Sequence, residues 1–150
     1  MAGQFRDRIR VMDEFDPQAG IYEAQTEGVR VRVQPRWLGE RSDAAKGQFV
    51  WAYHIEIVNE GDVTVQLTDR HWRITDATGR AERVDGPGIV GEQPILNPGD
   101  AFRYTSGCPL PTPSGFMVGH YTMARPDGST FEAAIPAFAL DMPDAATVLN

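Results

Sequence analysis

The chemistry open to this chain rests on its arginines, three histidines, a single cysteine and one glycine-rich run. The run is Gly86-Pro87-Gly88-Ile89-Val90-Gly91, which fits the spacing G-x-G-x-x-G. In a dinucleotide fold such glycines bring a pyrophosphate to a helix N-terminus inside a strand-helix-strand unit. Pro94 and Pro98 follow here, so no helix of useful length can begin after the run. Its first expected use is structural, because glycine accepts positive φ and lets backbones approach closely. A second use stays open: successive N–H groups in a glycine-rich turn can cradle an anion without a helix. Gly86, Gly88 and Gly91, with the nearby Arg73 and Arg83, are therefore the candidate ligand-binding residues, for a phosphate-bearing or carboxylate anion.

His54, His71 and His120 carry no ligand spacing, and neither His-Glu-x-x-His nor Cys-x-x-Cys occurs. His54 and Glu56 share one strand face, where two polar groups are ordinarily solvated. No metal site and no cofactor are expected. Cys108 sits between Gly107 and Pro109 with no base close in sequence, and Ser106 lacks the G-x-S-x-G elbow. Nothing pairs a nucleophile with an oriented base, so the chain is not expected to be an enzyme.

A formal net charge of −7 opposes the basic footprint that nucleic acid requires. The positive charge is almost all arginine, with Lys46 the only lysine, so a small anion or an acidic protein surface remains a partner. One cysteine excludes an internal disulfide and fits a reducing compartment. Neither a membrane-length apolar run nor a signal-like start at Met1–Arg10 is visible, and a cytoplasmic protein without membrane insertion is expected.

The elements that must position these groups are strands. Val29, Val31 and Val33 alternate with polar residues, and Phe49, Trp51, Tyr53, Ile55 and Ile57 line one face of a strand over residues 48–59. Asn59-Glu60-Gly61-Asp62 predicts a hairpin into Val63, Val65 and Leu67. The apolar parity then changes to Trp72 and Ile74, which requires a bulge near Thr68–His71. Cys108–Gly115 holds three prolines and cannot be a central strand, while Thr130–Leu140 changes parity at Pro136, as an edge strand or a bulge does. Seven to eight short strands without helical periodicity predict an all-β sandwich of the immunoglobulin or fibronectin type III kind. It is expected over residues 23–141, between a partly mobile amino-terminal extension, 1–22, and a carboxy-terminal tail, 142–150.

Three blocks read together carry a resemblance: Arg70-His71-Trp72 with Ile74 and Asp76, the run Gly86–Pro94, and Tyr104-Thr105-Ser106-Gly107 followed by Thr112-Pro113, Gly115, Met117, Gly119, Tyr121 and Met123. In this order they resemble the ApaG family, from about Val29 to Leu140. The resemblance implies a fibronectin-type-III-like sandwich and a link to cobalt resistance and magnesium efflux, and it implies no catalytic activity. In eukaryotic relatives the same domain looks like a protein-binding module. The long front extension and Cys108-Pro109-Leu110-Pro111 depart from the usual pattern. The expected function is thus a non-catalytic binding or adaptor module whose cation link runs through protein contacts, with Leu110, Pro111 and Phe116 as the interaction loop. The alternative is phosphate or nucleotide binding by Gly86–Gly91.

Overall fold

A computed structural model describes residues 15–16 and 19–143 of the chain. Residues 1–14 and 17–18 of the expected amino-terminal extension and 144–150 of the expected tail lie outside the described residues. Among the described residues nine strands follow one another: β1 (Tyr22–Thr26), β2 (Val29–Trp37), β3 (Phe49–Asn59), β4 (Val65–Asp76), β5 (Ala81–Pro87), β6 (Ile95–Leu96), β7 (Ala101–Leu110), β8 (Ser114–Ala124) and β9 (Thr130–Asp141). They form two antiparallel sheets, one ordered β1-β2-β3-β7 and the other β5-β4-β8-β9, with β6 beside β4. The architecture is an all-β sandwich.

Alternation builds the core. Val29, Val31 and Val33 from β2 and Trp51, Tyr53, Ile55 and Ile57 from β3 meet Leu67, Trp72, Met117, Tyr121, Met123, Ile135 and Phe138 of the opposing sheet. At the centre Tyr53, Trp72 and Phe138 form an aromatic cluster across the sheets, with ring centroids 5.4 to 5.9 Å apart. Such contacts contribute about 0.5–1.5 kcal/mol per pair beyond area burial. Trp51 Nε1 donates to the Asp141 carbonyl at 3.0 Å and ties β3 to the end of β9.

The expected bulge in β4 is present as a register shift between Leu67 and Asp69, and it turns Arg70, Trp72 and Ile74 inward. A second shift opposes Met117 and Gly119 to Phe138 and Ile135, so Pro136 sits at a bulge of edge strand β9. Pro109 is the last residue but one of β7, itself an edge strand, where a missing N–H is tolerated.

Two expectations are corrected. Residues 59–62 do not close a hairpin, because β3 and β4 belong to different sheets. Asn59 donates to the carbonyls of Val63 and Leu96 and accepts from Gly61 N–H, and this carries the chain from one layer to the other. Val63 is 46% exposed, so alternation resumes only at Val65. The outer face of β3 is also not solvated: His54 and Glu56 are 1% and 7% exposed. Phe15 covers His54 at 4.8 Å between ring centroids and lies under the Arg32 guanidinium, while the backbone of Asp16 exchanges two hydrogen bonds with the Gln34 side chain. His54 Nδ1 pairs with Thr105 Oγ1, and Glu56 is held by Arg32 and Arg103.

Candidate functional site

The sandwich closes along one side and opens along the other. On the closed side β1 and β2 pack against β9, and Tyr22 and Thr26 oxygens accept backbone N–H groups of Ala139 and Ala134. On the open side a cleft of about 310 Å³ lies between β5 and β7. Its walls are the apolar Trp72, Ile74, Val84, Ile89, Val90 and Met117, and its polar groups come from Arg70, Glu82, Tyr53, Tyr104, Ser106 and Cys108. An apolar recess with a few converging polar groups is the usual form of a small-ligand site.

Each polar group is set by the strand beneath it. Ser106 and Tyr104 occupy alternate inward positions of β7, and Ser106 is only 1% exposed. Its Oγ has no well-aligned hydrogen-bond partner among the described residues. It lies near enough to the Tyr53 hydroxyl to favour that phenol's ionised form, yet burial dominates and pushes the Tyr53 pKa up to about 12. Burial likewise raises Tyr104, whose hydroxyl pairs with that of Tyr121, and pushes the Cys108 thiol up to about 12, with the Glu82 charge adding to it. A thiol so far above neutral pH is no nucleophile. The Arg70 guanidinium is the cation of the cleft, and its field pulls all three phenols weakly downward.

Arg70 also holds the glycine-rich run. Its Nη1 donates to the carbonyls of Pro87 and Gly88 at 3.1 and 2.9 Å, and its guanidinium packs where a Cβ on Gly86 would stand. Gly88, at φ 60°, passes so close to the Glu92 carbonyl that a Cβ would lie 2.2 Å from its oxygen. Ile89 and Glu92 exchange both backbone hydrogen bonds around Val90 and Gly91, which have φ of 44° and 81°. This is a two-residue hairpin turn of the doubly positive-φ kind. Valine is ill suited to it, and Val90 therefore stores strain at the rim of the cleft. The amides of Gly88, Ile89 and Glu92 bond protein carbonyls.

The sequence-derived residues do not converge as grouped. Of the glycine-rich run only Ile89 and Val90 line the cleft, not Gly86, Gly88 or Gly91, and Arg73 and Arg83 pair across β4 and β5 on the outer face of the sheet. Leu110 is 7% exposed and belongs to the core, Pro111 is exposed beyond β7, and Phe116 stands 45% exposed opposite Thr75 on the outer face. Leu110, Pro111 and Phe116 thus form no single surface. The residue missed was Arg70; its signal was parity, since a bulge before it places it in phase with Trp72 and Ile74. Register also brings two histidines together unforeseen: His71 faces His120, with rings stacked at 4.5 Å.

Known proteins share this organisation. Residues 39–125 match the family model described as the ApaG domain. The chain is 57% identical over 130 residues to Protein ApaG of Beijerinckia indica, covering 87% of this chain and all of that one. It is 58% identical over 123 residues to Protein ApaG of Rhodospirillum centenum, covering 82% and 95% respectively. The crystal structure of an ApaA protein from Bordetella pertussis superimposes with a TM-score of 0.75 at 47% identity, over 78% of this chain and 95% of that one. The glycine-rich turn and the Arg70 strand lie inside the matched residues 39–125, the relatives are 57% and 58% identical over most of the chain, and the chain belongs to the ApaG family.

Proposed function

We propose that this chain is a non-catalytic binding module whose site is the cleft between β5 and β7 together with the free edge of β7. The observation that carries the reading is the cleft itself, an apolar recess beside the edge strand β7 that is lined by the Arg70 guanidinium and the buried Ser106. A ligand that gives the Ser106 hydroxyl a well-aligned partner gains about 0.5–1.5 kcal/mol. The occupant is an extended segment of a partner protein. Its backbone adds to β7, and an apolar side chain followed by a carboxylate enters between Trp72 and Val84 toward Arg70. The link to cobalt resistance and magnesium efflux implied by the family resemblance would run through such a contact. Phosphate binding by Gly86–Gly91 is the weaker reading, because three of the turn's amides already serve protein carbonyls.

The test is selection of displayed random nonapeptides on the whole chain, followed by measurement on a Ser106→Leu variant that fills the cleft. Selected peptides of apolar-acidic pattern should shift the β7 amides from Phe102 to Gly107 and lose at least tenfold in affinity on the variant. Peptides that bind both proteins equally, or leave β7 unshifted, would overturn the reading.

A further inference from the structure

On the face of the second sheet that points away from the cleft, antiparallel pairing sets His71 of β4 beside His120 of β8, and β9 places Glu132 next to Thr122, two residues from His120. One ligand atom each from His71, His120 and Glu132 lies within 4.8 Å of the others. His120 Nε2 is 3.0 Å from Glu132 Oε2. His71 Nδ1 is 2.7 Å from Asp85 Oδ1, so Nδ1–H donates to the carboxylate and Nε2 is the ring nitrogen turned toward the site. The Thr122 hydroxyl, 3.1 Å from that Nε2 and 3.1 Å from Glu132 Oε2, has one proton to give to either acceptor.

We propose that His71, His120 and Glu132 form a surface site for one divalent transition-metal ion of the zinc type, with Asp85 orienting His71 from behind. Two imidazoles and a carboxylate, completed by water, are a donor set that zinc accepts at about 2.0–2.2 Å per ligand. Tetrahedral coordination needs donor atoms about 3.3 Å apart, so the side chains close by about 1.5 Å at most, through χ rotation of half-exposed residues. A carboxylate behind the ligating imidazole is the common device that raises histidine basicity and holds its ring. The surrounding charge is divided: Asp69 and Glu132 lie on one side of the histidine pair, while Arg73 and Arg83 lie on the other, Arg83 being near Asp85 at 3.7 Å. Magnesium, which prefers oxygen ligands, is excluded by the two nitrogens. The site is independent of the cleft, which opens on the opposite face of the sheet.

The experiment is calorimetric titration of the untagged full chain with Zn²⁺, and with Mg²⁺ as the contrast. Long-range ¹H–¹⁵N spectra of the imidazoles locate the ion. One equivalent of Zn²⁺ should bind, with the Nε2 signals of His71 and His120 moving to the metal-bound range and those of His54 unmoved. His120→Ala and Glu132→Gln should each weaken binding at least tenfold, Asp85→Asn should weaken it 10- to 100-fold, and Mg²⁺ should give no heat. No saturable heat below millimolar Zn²⁺, or equal affinity in the three variants, would overturn the site. Loss of zinc binding with the selected peptides still bound would leave the cleft reading standing.

Discussion

The pair of buried phenols behind the cleft allows a quantitative test. Tyr104 and Tyr121 hydroxyls hydrogen-bond each other between the sheets, with Tyr121 fully buried and Tyr104 4% exposed. Phenylalanine at either position keeps the ring packing and removes one half of the bond. Tyr104→Phe leaves the Tyr121 hydroxyl sealed in the core without a partner, at a cost of about 2 kcal/mol. Tyr121→Phe leaves Tyr104, which lines the cleft, where water can take the vacant bond, and the cost falls to about 1 kcal/mol. The double variant removes both partners and should cost about 1 kcal/mol or less, which gives a coupling of about 2 kcal/mol. Urea unfolding at pH 7 measures all four proteins, provided m is unchanged. For a chain of this size Tyr104→Phe should lower Tm by about 4–8 °C. Additive costs within about 0.5 kcal/mol, or a greater loss from Tyr121→Phe than from Tyr104→Phe, would refute both the bond and the cleft's access to Tyr104.

Alkaline pH should unfold the chain through the same region. Cys108 and Tyr53 have folded pKa values raised to about 12, above their unfolded values, so the folded state holds more protons at high pH. Stability from these groups is constant below about pH 8 and falls above it, by up to about 1.4 kcal/mol per pH unit for each group; Cys108→Ala should flatten the early part of the decline in pH-dependent urea midpoints. Gly119→Ala should destabilise by about 3 kcal/mol, because its Cβ would stand 2.1 Å from the His71 carbonyl oxygen in the middle of a sheet; a midpoint within error of wild type would disprove that approach. Arg70→Met should cost about 1–2 kcal/mol and speed amide hydrogen exchange at Gly88 and Ile89 selectively, since the strained turn loses the donor that holds its carbonyls.

Much of the fold was legible along the chain because a strand with one buried face writes its orientation into alternate residues. Phe49 to Ile57, the bulge before Trp72 and the proline-marked edges at Pro109 and Pro136 were each readable from parity and from proline's missing donor. β1 escaped notice: Tyr22-Glu23-Ala24-Gln25-Thr26 is short and only half-buried, and it is a strand because β2 and β9 supply its neighbours.

The sequence by itself determined strand faces, turn chemistry and the unsuitability of the glycine run for a dinucleotide fold, all consequences of spacing between near neighbours. Only tertiary structure decided which strands share a sheet, and therefore which side chains meet. Pairing of β4 with β8 joined His71 to His120 across 49 positions, and the layering of β5 over β7 enclosed Ser106 with Arg70. It also turned Arg73 and Arg83 away from the glycines they neighbour in sequence, because adjacent residues of a strand point to opposite faces.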